Sequence, residues 1–559
     1  MPNNNYTAIP TSTTPLLQPS RPASPGPSSQ FQSRSQTSHP LHNLIDQRRR
    51  RRSSPYRPSI HFLPALVASL LLLGTGLIAW DISSYGKCYF APLCRALGVD
   101  RGVEEGWWKG QGPYAPYRSM GKGGGEEGLP RGCEVDQVNL LHRHTARYPT
   151  NSAGECMSRA LGKIRDREVK IPRHHAELAF LARADLDMKD WKFDQLMDQG
   201  RKAAWKSGAD IARTYRSFLK TTEGSFIRSS GGGRIVETAG YWLEGFRGER
   251  FKLKDRIKLP TADVVVPEDP SFNNTLSVHS CPAFESLSPS PGEEAQKSLN
   301  PLLESALNRL NTVLRPRPLL EVEDLVCLAD MCGYDSQARG ADWNGWSKWC
   351  GVFGQDEWEI LGYGKELKRY YEVGEGSTYG PTMGAGYINE VIARLTDSQP
   401  IDSTIVNRTL DSDEGTFPRG KKRFFVDFGH DNEILEILAA MGVMKQHRPL
   451  QLDQVPLKRT YILSQIVPFG ARLTFERIAC DMGNWEPDPT TGEPERGNDG
   501  RKDYIRILVN AKVHRVNHLA CEQSGLVEHG LCELESFVES QRFATTDVDW
   551  GICYDDRKR

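Results

Sequence analysis

The 559-residue chain has no surplus of charge of either sign: Lys and Arg total 71, Asp and Glu total 71, and the formal net charge is zero. That balance removes the electrostatic motive for nucleic acid or generic polyanions as partners, since such binding rests on an excess of Lys and Arg over a surface. Cysteine is missing from the first 87 residues, and no cysteine pair shows zinc-ribbon spacing, which argues against a structural zinc module. No internal repeat is visible, so repeat architectures are excluded. The first 59 residues also lack sustained apolar periodicity. Rich in Ser, Pro, Gln and Arg, they cannot bury enough surface to fold and read as a disordered tail.

What is present begins at Ile60. From there to Trp80 run 21 residues without Asp, Glu, Lys or Arg, matching the roughly 20 that cross a hydrocarbon core as a helix. Arg48 to Arg52 and Arg57 stand on the N-terminal side, and Asp81 is the first charge on the other. The positive-inside bias predicts a single-pass signal anchor over 60–80, with the tail in the cytosol and everything beyond it lumenal or extracellular. All twelve cysteines, Cys88 to Cys553, lie on that far side, as a domain folding in an oxidising compartment requires. Sequons at Asn273 and Asn407 would be usable there. Residues 81–130, with the run GKGGGEEGLP, read as a stem and mobile linker, and the main domain is placed at 131–559.

Within that domain three stretches share one plan of strand, polar loop and helix: CEVDQVNLLHRHTARYPT, GSFIRSSGGGRIVETAGYWLEGF and KRFFVDFGHDNEILEILAAMG. In open α/β sheets ligands bind at the carboxyl ends of strands, so the three loops are candidates to converge on one site. Arg143, Arg147 and Arg228 are permanently charged, planar donors suited to phosphate oxygens. His144, lying among them, is expected to be neutral and therefore nucleophilic. Asp431, beside His430 at a helix start, is positioned to protonate a departing alkoxide, although taken singly it reads equally well as a helix N-cap. His142 and His144 also form an H-x-H pair, but the arginines oppose a cation and no further ligands stand nearby, so no metal is assigned.

The spacing R-H-x-x-R-x-P arises by chance in roughly one chain in a thousand of this length. Here it resembles the R-H-G-x-R-x-P motif of the histidine acid phosphatases, and most closely the secreted fungal phytases of that family. FIRSSGGGR, NNTL, ADMCGYDS, LKRYY, GPTMGAGYINEVIARLT, NRTLDS, FVDFGHDN and ILVNAKV carry the likeness in the same order from about Trp107 to Tyr554. The resemblance implies an α/β fold, with a large domain of central sheet and flanking helices beside a smaller, mostly helical one. It implies His144 as phosphoryl acceptor, Arg143, Arg147 and Arg228 as phosphate clamp, His430 as a further phosphate contact and Asp431 as the acid. Lys368, Arg369 and Asp330 match substrate-pocket residues, which implies a multiply phosphorylated substrate such as phytate and no metal or organic cofactor. It also implies bridges Cys133 with Cys480, Cys281 with Cys553, Cys332 with Cys350, Cys521 with Cys532 and Cys88 with Cys94, leaving Cys156 and Cys327 open. Two positions depart from the pattern. The motif glycine is Thr145, a β-branched residue disfavoured wherever the backbone needs positive φ or close approach to the ligand. The stretch AFLARADLDMKDWKFDQLMDQG replaces the family's Thr-Pro-Phe-Gly segment, so substrate contacts there do not carry over. The alternative reading, resting on Thr145, is an inactive membrane-tethered protein that binds phosphoanions or another partner.

Overall fold

The structure is a computed structural model that describes residues 107–554, apart from 166–170, 183–187, 223, 278, 315–319, 341–345, 401, 403, 421, 482–485, 488–493, 496–499 and 524–525. The tail, the 60–80 span, Cys88 and Cys94 lie outside the described residues. Among the described residues no helix is long and apolar enough to cross a membrane.

The centre is an eight-stranded mixed sheet. Its strands are β1 (Cys133–Arg143), β2 (Ser225–Ser230), β3 (Val264–Val266), β4 (Phe424–Gly429), β5 (Arg472–Asp481), β6 (Arg501–Val509), β7 (Lys512–His514) and β8 (Leu531–Glu533). They are ordered β8-β6-β5-β1-β4-β2-β3, with β7 paired to β6. The β3-β2-β4-β1 half is parallel, and β5, β6, β7 and β8 extend it antiparallel. β4, sequence FFVDFG, is buried along its whole length, as a strand covered on both faces requires.

The flanking helices are amphipathic and cover opposite faces. α2 (Asp198–Thr214) and α3 (Gly233–Phe246) lie on one face, where Trp242, Ile235 and Leu243 meet Phe424, Val426 and Phe428. On the other face α7 (Gly380–Thr396) and α8 (Asp431–Met441) pack Val391, Ile434 and Ile437 with Leu141, Leu473 and Phe475. A second core joins α1 (Asn151–Arg165), α4 (Asn300–Val313), α5 (Val322–Ala338) and α6 (Gln355–Glu372) through Met157, Leu161, Leu310, Leu328 and Trp358.

Four of the implied bridges are present, including Cys133–Cys480, whose residues are register partners on β1 and β5. Cys156 and Cys327, left open by the sequence, also pair and tie α1 to α5.

In the segment before β1 the aromatic part packs against the domain, while the glycine run differs from its expectation as a mobile connection. Trp107 and Trp108 are buried in the helical core. The Gly125 amide donates to Glu476 Oε1 at 2.8 Å, and its carbonyl accepts from Arg506 Nη2 at 2.6 Å. Gly125 has φ +62°, and a Cβ there would lie 2.3 Å from the Thr214 carbonyl oxygen. The glycines permit close approach to a buried charge pair, which a solvated linker would not need.

Candidate active site

The carboxyl ends of β1, β2 and β4 lie side by side. Arg143, the last residue of β1, is opposite Gly429, the last of β4. The His144 amide donates to the Gly429 carbonyl, and the Gly470 amide donates to the His144 carbonyl, both at 3.0 Å. Two strand ends thus pin the histidine backbone. The ring is 1% exposed, and its Nδ1 lies 3.0 Å from the Thr145 carbonyl. With Nδ1–H donating there, the lone pair resides on Nε2. Burial and the cations Arg143, Arg147, Arg234 and His430 hold the imidazole pKa well below its ordinary value.

Asp431 opens α8, and its Oδ2 accepts from Arg143 Nη2 at 3.1 Å and lies 3.7 Å from Arg369 Nη2. Burial works against the carboxylate, yet Arg143, Arg369, Arg147 and His430 outweigh it and keep the carboxyl below the usual range. Arg143 is itself fixed by donation to the carbonyls of Pro113 and Val467, both at 2.5 Å, and lies 4.8 Å from the Phe469 ring centre. Burial pulls its pKa down to about 10, which leaves it charged at acid and neutral pH. Arg147 Nη1 donates to Tyr148 O at 3.0 Å and Tyr334 Oη at 3.4 Å.

His430 completes the ring of cations. Its Nδ1 lies 2.9 Å from Glu433 Oε1, while Glu433 Oε2 accepts from the His430 amide at 3.1 Å. Nε2 is 3.2 Å from Glu268 Oε1 but off hydrogen-bond alignment, which leaves this proton for a ligand. Burial opposes protonation, but Glu433 and Glu268 outweigh it and push the pKa up to about 9.

Two sequence expectations are corrected. Arg228 stands two residues before the end of β2, opposite Asp427 of β4. Its guanidinium donates to Asp427 at 2.8 and 3.2 Å and to Glu390 at 2.5 Å, at 3% exposure. Two buried carboxylates compensate its charge within the sheet, so it is a structural ion pair and not a cation offered to phosphate. Arg234, past the glycine turn and second in α3, takes the place assigned to it: it acts electrostatically on His144, Arg147 and Asp431, and its Nη1 is 3.7 Å from Asp194. Its signal in the sequence was position, directly after a strand–glycine turn at a helix start. Thr145 does not have positive φ, so its backbone is unstrained. Its methyl packs 3.3 Å from where a Cβ on Gly470 would stand, and its amide donates to Thr238 Oγ1 at 3.3 Å. The glycine relief has moved to Gly470, at φ +76°.

The substrate-pocket candidates divide. Arg369 reaches Asp431 and also donates to Glu372 at 2.8 Å. Lys368 turns to Glu293 at 3.4 Å and is one-third exposed. Asp330 pairs with Lys365 at 2.7 Å, and burial raises its pKa. His142 is buried and engaged by Ser207 at 2.7 Å, and no group of metal-ligating side chains occurs among the described residues. Sequence reasoning missed Arg234, Glu268 and Glu433. Besides the position of Arg234, Glu433 left a local sign, the spacing H-D-N-E at a helix start that marks a capping box; Glu268 left none.

The family model for the histidine phosphatase superfamily (branch 2) matches residues 134–510. Phytase A of Emericella nidulans is 32% identical over 450 residues, covering 79% of this chain and 90% of the relative. Phytase A of Aspergillus oryzae is 31% identical over 464 residues, covering 81% and 91%. Among solved structures, the phytase from D. castellii is similar with a TM-score of 0.61 at 20% identity, over 80% of this chain and 88% of that one. The matched residues 134–510 include all three loops that build the site, and the chain belongs to the histidine phosphatase superfamily, branch 2.

Proposed function

We propose that this phosphomonoester hydrolase works through a phosphohistidine on His144, with multiply phosphorylated inositol as its substrate class. The observation that carries the reading is a buried, neutral imidazole with a free Nε2, enclosed by Arg143, Arg147, Arg234 and charged His430, with Asp431 beside Arg143. In the first step Nε2 forms a bond to phosphorus, the ester P–O bond breaks, and Asp431 gives its proton to the leaving oxygen. In the second, water attacks the phosphohistidine, Asp431 takes a proton from it, and inorganic phosphate leaves with His144 neutral again. The guanidinium groups hold the equatorial oxygens throughout.

Asp431 is ionised in the empty site, yet the first step needs it protonated. A bound phosphate resolves this by competing for the cations that depress the carboxyl, so that substrate binding raises proton affinity. The rate is therefore expected to rise as the pH is lowered from neutrality. A rate that climbs steadily into alkaline conditions contradicts this.

Phytase relatives and the cationic pocket support the substrate class. Thr145 lacks positive φ, which removes one of the two grounds for an inactive protein; close approach to the ligand is the other, and turnover decides it. The five disulfides suit an oxidising compartment, and the 60–80 segment is proposed as the tether that holds the body on the lumenal or extracellular side. The test is phosphate release from inositol hexakisphosphate and from a simple aryl phosphate at mildly acidic pH, by the chain and its His144→Ala variant. Release lost in the variant supports the reading; none from folded wild-type protein overturns it.

A further inference from the structure

Two consecutive glycines before Arg234 lie against Glu268 and Arg256 in turn. Glu268, 3.2 Å from His430, has its carboxylate 2.6 Å from the point a Cβ on Gly232 would occupy. One residue on, Arg256 Nη1 is 2.9 Å from the point a Cβ on Gly233 would occupy. The next residue is Arg234, so only backbone separates the inner arginine from the outer one. The Glu268 and Arg234 side chains are 24% and 21% exposed, which puts this stretch at the mouth.

Arg256 itself is exposed, and among the described residues it has no hydrogen-bond or ion-pair partner. Two of its segment neighbours are compensated, Lys254 by Glu244 and Lys258 by Asp255 at 3.4 Å, while Arg250 and Lys252 are exposed like Arg256 but are not the ones that lie against Gly233. The backbone that presents it is anchored on α3. Tyr241 Oη accepts from the Lys254 amide at 2.9 Å and donates to the Lys254 carbonyl at 3.1 Å, and Leu259 is buried against Gly240. An uncompensated guanidinium on a fixed segment at the mouth of a phosphate pocket matches an anion that extends beyond that pocket.

We infer that Arg256 forms a distal subsite for a second phosphate group of the substrate, on the α3 side of the mouth. This rests on the multiply phosphorylated substrate proposed above. With one phosphate against His144, another on the same ring would reach Arg256 past Gly232 and Gly233, beside the Glu268 carboxylate. The contact is made in the bound ground state, so its loss acts on KM.

The test uses the full chain, Arg256→Gln, and Arg250→Gln, an exposed arginine on the same segment, as control. Binding is measured for the non-hydrolysable inositol hexakissulfate and for inorganic phosphate. Arg256→Gln is expected to weaken hexakissulfate about fivefold relative to phosphate, as suits one partly exposed charge contact. The ratio of kcat/KM for inositol hexakisphosphate to that for aryl phosphate falls by the same factor, through KM. Arg250→Gln moves neither. Unchanged hexakissulfate binding in Arg256→Gln overturns the subsite, and so does an equal loss toward both anions or an equal loss in Arg250→Gln. Absence of turnover in the wild type overturns the hydrolase reading instead, while the binding arms still decide the subsite.

Discussion

Arg228 and Arg234 share one short stretch of sequence yet stand in opposite electrostatic situations, and substitution separates them. Arg228→Gln leaves Asp427 and Glu390 buried without their partner, so it is expected to cost about 3–5 kcal/mol of stability, read by chemical denaturation. Arg234→Gln removes a phosphate donor from a half-buried position. It is expected to lower kcat/KM about 10²- to 10³-fold while the unfolding midpoint hardly moves. If both variants lose stability alike, the assignment of Arg234 to the site is wrong. His430 gives a prediction in pH. Its folded pKa of about 9 lies above the roughly 6.5 of a free imidazole, so its charge interactions contribute fully below about 6.5 and fade as pH rises through 9. Removing the Glu433 charge lowers that pKa. Glu433→Gln is expected to shift the alkaline limb of kcat/KM to lower pH, and a limb that stays in place would refute the pairing.

At the scale of elements, the three strand–loop–helix units were legible because each announces itself by periodicity and by a polar break at the strand end. Assigning residues within a unit was harder. FIRSSGGGR offers two arginines, and the choice depends on where β2 stops: a mid-strand arginine faces its neighbour strand, while one past the turn faces the ligand. The antiparallel half was less legible, since β5 and β6 bury Glu476, Arg477 and Arg506, charges that sequence patterning assigns to solvent. Glu268 comes to His430 only through the crossover from β2 to β3, a long-range consequence that no local pattern records. The α1–α5 bridge yields a prediction of its own. Replacing Cys156 and Cys327 by Ser is expected to lower stability by about 2–4 kcal/mol in denaturant unfolding. Turnover of aryl phosphate is expected to be retained, because the bridge joins α1 to α5 and includes none of the side chains placed around His144; a large loss of kcat would show that the helical part sets the site's geometry.

For the whole molecule, the decisive feature is the position of β1. The strand that leads into His144 lies at the middle of the sheet, yet its two neighbours are β4 and β5, and its bridge partner Cys480 follows Cys133 by 347 positions. During synthesis at roughly 5–20 residues per second, β1 therefore waits on the order of tens of seconds before either neighbour exists. A chain arrested before residue 472 is expected to be protease-sensitive at β1 and devoid of phosphatase activity, however much of the helical part it has completed. The nascent body is thus exposed to aggregation until almost its last strands appear. Catalytic competence arrives late and all at once, so a partly made copy never releases phosphate.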